Sequence, residues 1–177
     1  MVLKRVMLHL MLLLLFVVLT GCNMPVKPRM KDAPQLAPGK GVLVACIEMP
    51  YLLRSNHLPT SLQVVNLSGS AISGEFVTLD SAVTLIAIPL SAGTYQLRSL
   101  NIGGWYSRLS PMNFNIAAGK INYVGDLMMV MQAASGGTDY IVHTKIYDYR
   151  QYTLPKITTQ YPALSSNYPI AVNIINR

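Results

Sequence analysis

Between Gly41 and Tyr147, short runs rich in Val, Ile, Thr and Tyr alternate with turn residues at regular intervals. The runs are Gly41–Glu48, Ser61–Leu67, Ala71–Leu79, Ala82–Ile88, Thr94–Ile102, Met112–Ile116, Lys120–Met131 and Asp139–Tyr147. The breaks are Ser68-Gly69-Ser70, Asp80-Ser81, Ser91-Ala92-Gly93, Gly103-Gly104, Ala118-Gly119 and Ser135-Gly136-Gly137, with Pro89 ending the fourth run. Pro50 and Pro59 bound a loop that carries Arg54 and His57. Punctuation of this kind leaves room for strands and little else, and it predicts an all-β sandwich or barrel. The first run is apolar without interruption, which predicts burial on both faces. Only the end reads as helical. Thr153 is a candidate cap with Pro155 in the first turn, where a missing N–H does no harm. Leu154, Ile157 and Tyr161 share one face, and Pro162 stops the helix. A last strand is expected over Ile170–Ile175. The expected fold is an antiparallel β-sandwich with a short C-terminal helix, occupying residues 41–177.

The N-terminus has a different character. Lys4 and Arg5 precede Val6–Leu19, which is apolar except for His9, and small residues then lead to Cys22. A charged start, a short apolar segment and a small-residue site form the layout of a secretory signal peptide. A spanning helix needs roughly 20 apolar residues, and this run is shorter. Leu19-Thr20-Gly21-Cys22 resembles the lipobox of bacterial lipoproteins. The resemblance implies a signal peptide over residues 1–21, diacylglycerol on the Cys22 thiol, and acylation of the new amino group after cleavage. It also implies a location in the cell envelope. In enterobacterial-type lipoproteins an Asp after the cysteine retains the protein in the inner membrane, so Asn23 implies the outer membrane, facing the periplasm. Residues 22–40 read as a lipidated cysteine and a tether. Pro25, Pro28, Pro34 and Pro38 favour an extended chain, with a reach of roughly 50 Å at about 3.1 Å per residue.

Three segments carry a second resemblance. They are Gly39-Lys40-Gly41-Val42-Leu43-Val44, Leu90-Ser91-Ala92-Gly93-Thr94-Tyr95 and Ala118-Gly119-Lys120-Ile121-Asn122-Tyr123-Val124-Gly125-Asp126-Leu127. They are similar to segments of small bacterial lipoproteins with a transthyretin-like or carboxypeptidase-regulatory-like β-sandwich. That resemblance implies an architecture and no catalytic residues.

Composition narrows the chemistry. Without Lys4 and Arg5 the chain keeps twelve basic and seven acidic residues. The basic residues are scattered, whereas a nucleic-acid footprint is a concentrated patch. With Cys22 lipidated, only Cys46 remains, so no intrachain disulfide can form. Cys46 lies in an apolar run, where a free cysteine behaves as a small buried hydrophobe. His57 and His143 have no paired ligand spacing, so no metal site is expected. On period two, His143 shares an exposed face with Ile141 and Lys145. No Gly-x-Ser-x-Gly elbow or phosphate-cradling loop is present. Met128, Met129 and Met131 read as core filler, with Cu(I) binding by soft thioethers as the alternative. Six of the ten tyrosines follow Gly137. Trp105 and Tyr106 sit just past Gly103-Gly104, where rings with an apolar body and a polar handle suit an interface. These features point to a non-enzymatic, membrane-anchored accessory module with no cofactor. Its partner would be an envelope protein or a glycan, and Trp105 and Tyr106 are the candidate contact residues. A small-ligand carrier or sensor is the alternative, and an envelope hydrolase the third.

The lipobox has a direct test. Mass spectrometry of the processed N-terminus should find an acylated Cys22. Cys22→Ser should leave an uncleaved precursor, and a native chain cut elsewhere would contradict the assignment.

Overall fold

The computed structural model describes residues 26–27, 32, 35–50, 60–69, 73–133 and 140–175. The expected loop with Arg54 and His57 lies outside them, as do Cys22 and Asn23. Within them the chain is mostly β. The strands are β1 (Val26–Lys27), β2 (Lys40–Glu48), β3 (Thr60–Asn66), β4 (Ser73–Leu79), β5 (Val83–Ser91), β6 (Gly93–Ile102), β7 (Trp105–Ile116), β8 (Ile121–Tyr123), β9 (Asp126–Ala133), β10 (Tyr140–Tyr147) and β11 (Ile170–Val172). Helices α1 (Arg150–Gln160) and α2 (Pro162–Asn167) precede β11.

The strands make two sheets. The first has the order β1-β4-β3-β6-β7. In the second, β2 pairs antiparallel with β5 along one edge and parallel with β8 and then β9 along the other. β10 pairs antiparallel with β9, and β11 parallel with β8. The second sheet is therefore mixed, whereas the expectation was purely antiparallel. The reason lies in the path. After β5 the chain crosses to the first sheet for β6 and β7. It then re-enters the second sheet running in the same direction as β2.

β2 explains why the layers are arranged this way. Leu43, Ala45 and Ile47 point inward and join Leu62, Val64, Leu97, Leu100 and Phe114 of the first sheet in one apolar cluster. Val42 and Val44 point outward with Ile121 and Tyr123 of β8 beside them, and Ile157, Leu164 and the intervening Tyr161 join them in an outer cluster. The strand is buried on both faces, as its unbroken hydrophobicity requires. Leu154 packs at the margin of the same outer cluster, so the helical face read from Leu154, Ile157 and Tyr161 is the one that docks.

Several element boundaries differ from expectation, and three of the strand differences have a clear physical reason. β5 runs through Pro89 to Ser91. Pro89 lies opposite Val42, whose own N–H donates away from β5 to the Lys120 carbonyl at 2.9 Å. The position of Pro89 therefore needs no ladder donor, and proline is tolerated on such an edge strand. The short strand expected at Met112–Ile116 is the end of the twelve-residue β7, which starts at Trp105. Pro111 falls within a register irregularity where β6 passes from Leu97 to Ser99. Finally, the run Lys120–Met131 is split into β8 and β9 at Val124-Gly125, where Gly125 takes φ +105°.

A buried amide organises the start of the domain. Asn122 is fully buried. Its Oδ1 accepts the Ala117 N–H at 2.9 Å, and its Nδ2 donates to the Ala117 and Lys120 carbonyls at 3.1 and 3.0 Å. Gly41 faces this cluster. A Cβ there would overlap the Ala117 carbonyl and come within 2.8 Å of Asn122 Nδ2. Buried backbone and amide groups cannot give way without losing hydrogen bonds. Gly41→Ala should therefore cost about 3 kcal/mol, read in thermal melting as a Tm drop of about 9 °C. A Tm within 2 °C of wild type would show that the turn can shift freely.

Candidate functional site

The described residues place one buried carboxylate against the helices. Asp126 opens β9 on the outer face of the second sheet, opposite Tyr147 of β10. It is 8% exposed. Its Oδ1 accepts the Cys46 N–H at 3.2 Å, and its Oδ2 accepts the Thr153 hydroxyl at 2.7 Å. Beside it the Tyr123 hydroxyl accepts the Tyr149 N–H at 3.0 Å. These bonds explain why α1 starts at Arg150 instead of at a Thr153 cap. Tyr149 is fixed to the sheet just before the helix, and Thr153 turns inward to Asp126. Pro155 consequently sits in the second turn, at the cost of one intrahelical bond.

Burial sets the protonation of this cluster. It raises the Asp126 carboxyl above its ordinary value, against the lowering effect of hydrogen bonds from Thr153 and Cys46. Burial also pushes the Tyr123 hydroxyl up, and the neighbouring Asp126 charge adds to the rise. The buried Cys46 thiol is raised for the same two reasons.

Two adjoining cavities open along the seam between α1 and the sheet. The smaller is about 150 Å³; Asp126, Glu48, Tyr147, Tyr149, Tyr152 and Lys156 supply its polar and aromatic walls. The larger is an open trough of about 530 Å³ with Val83, Leu85 and Pro155 along it and Thr159 and Gln160 at its side. Cys46, Val83 and Lys156 line both. The Tyr147 and Tyr149 rings stack with centroids 5.0 Å apart, and Tyr152 meets Tyr149 nearly edge-on at 6.2 Å.

The residues singled out from sequence are dispersed. Gly103 and Gly104 both have positive φ and close the β6–β7 hairpin, as two-residue turns of this kind require. Trp105 and Tyr106 follow as the first residues of β7, 52% and 59% exposed. Trp105 lines neither seam cavity. Met129 is buried in the core, Met131 packs against it, and Met128 borders the smaller cavity. His143 is exposed along with Ile141 and Lys145. Among the described residues no three of His, Cys, Asp and Glu converge as metal ligands. No described helix is long and apolar enough to cross a membrane.

Asp126 is not among the residues singled out from sequence, and Thr153 is read there only as a helix cap. The available signal was an acid inside an apolar strand, since Asp is almost never fully buried unless paired. Comparison with models of known protein families and with curated protein sequences finds no match.

The cluster makes a signed pH prediction. Folded Asp126 holds its proton to higher pH than the unfolded chain does. Its contribution to stability is therefore largest when protonated, and it falls as pH rises from the ordinary carboxylate range through the raised folded value. Asp126→Asn should flatten that part of the pH–stability profile in denaturant titrations. Asp126→Ala should lose about 3 kcal/mol, because the Cys46 N–H and the Thr153 hydroxyl lose their acceptor. An unchanged slope in the Asn variant would remove Asp126 as its source.

Proposed function

We propose that this chain is a lipid-anchored envelope lipoprotein whose β-sandwich domain, formed by the two sheets, serves as a non-enzymatic interaction module. Cys22 carries the lipid. Asn23 directs the protein to the outer membrane, where the domain faces the periplasm. The observation that carries the interaction reading is the pair Trp105 and Tyr106. Two large rings stand half or more exposed beside the two-residue Gly103-Gly104 turn. An exposed aromatic pair at a hairpin end is the kind of anchor that supplies interface hot spots, worth about 2 kcal/mol or more each. A photo-crosslinker at Tyr106, used in cells, would identify the envelope protein or glycan that meets it. Trp105→Ala should leave Tm within about 3 °C of wild type while weakening capture of that partner at least tenfold, as a hot-spot loss requires. A large fall in Tm would assign the ring to the core and remove the main support for this reading.

A second reading, a carrier or sensor of a small ligand, is favoured by the seam beside α1. Its larger cavity has the volume of a typical small-molecule site. It combines an apolar trough with a few convergent polar groups, which is the usual chemistry of such sites.

A further inference from the structure

We propose that the seam beside α1 binds an organic cation with a short apolar tail, the ammonium head in the small cavity and the tail in the trough. The inference rests on the second reading above and gives it a ligand class. Charge is the first argument. Asp126 and Glu48 bring two carboxylates to the small cavity, and Lys156 brings one ammonium. With both acids ionised these three groups leave one negative charge, and a monocation balances it. Shape and surface are the second argument. Tyr149 and Tyr152 meet at 75° and, with Tyr147 stacked on Tyr149, line the cavity beside those carboxylates. Ring faces attract cations through their quadrupole, most strongly when the cation is large and weakly hydrated. A quaternary ammonium meets both conditions and needs no hydrogen-bond acceptor. That suits Asp126, whose two oxygens already accept from Cys46 and Thr153. Continuity is the third argument. Past Lys156 the trough presents Val83, Leu85 and Pro155 with Thr159 and Gln160 at its side, and its apolar part suits a butyl-length chain.

The test uses the full chain in lipid nanodiscs, with empty nanodiscs as the blank. Butyltrimethylammonium and butanesulfonate, equal in tail and opposite in charge, are titrated calorimetrically. The expected result is saturable one-to-one binding of butyltrimethylammonium and none of butanesulfonate. Tyr152→Ala and Glu48→Gln change exposed side chains, so they should keep the wild-type Tm while each weakens binding at least fivefold. Ammonium binding that ignores both variants overturns the proposal. Binding of butanesulfonate instead, lost in Lys156→Met, overturns the cation assignment and keeps the seam as a ligand site. No saturable heat with either probe overturns the cation and the carrier reading together.

Discussion

A strand that carries apolar side chains on both faces must be covered from both sides, and β2 is that strand here. One cover is the first sheet. The other is the pair of helices near the C-terminus, which would have little reason to form by themselves. The first of them contains a proline and has no side-chain cap at its start. Its register is imposed from outside, by Tyr123 receiving the Tyr149 N–H and by Asp126 receiving the Thr153 hydroxyl. The helices exist where they do because β2 needs them, and Asp126 sets where they begin.

The same arrangement ties the N-terminal segment to the domain. Asp32 accepts the Ala163 and Leu164 N–H groups at 3.2 Å each, at the start of α2. The Leu36 N–H donates to the Tyr168 hydroxyl at 2.7 Å, and the Leu36 side chain packs at the margin of the outer cluster. Val26 and Lys27 pair with β4. The described residues of the segment read as a tether thus touch the folded body. A sequence rich in proline encodes extension, and extension is equally suited to lying along a surface.

What could be read from the sequence was what depends on neighbours along the chain. Turn residues placed most strand ends, the unbroken run at β2 announced its two buried faces, and alternation put His143 outward. Ile157 and Tyr161 marked the docking face of the helix. What could not be read depends on which strand lies beside which. Pro89 reads as a stop until β5 is known to be an edge, and Pro111 reads as a break until β7 is seen to hold a register irregularity there. Asp126 is an anomaly in its strand, but its value comes from Cys46 and Thr153, which are distant in sequence. The tyrosine excess after Gly137 was visible. That Tyr147, Tyr149 and Tyr152 gather at one cavity depends on the turn between β10 and α1.

The edge strand β5 has a property that concerns the crowd around the molecule. Its outward-pointing backbone belongs to Val83, Leu85, Ala87 and Pro89, because the alternate residues bond to β2. At one end Pro89 offers no donor. At the other the Val83 carbonyl already accepts the Ser81 hydroxyl at 2.7 Å. A foreign strand sliding along this edge meets a missing hydrogen at one end and an occupied oxygen at the other. Among the described residues, the stretch from Leu85 to Ala87 is what remains to pair, too short to seed a growing sheet. At high local concentration, that is the difference between separate molecules and a fibre.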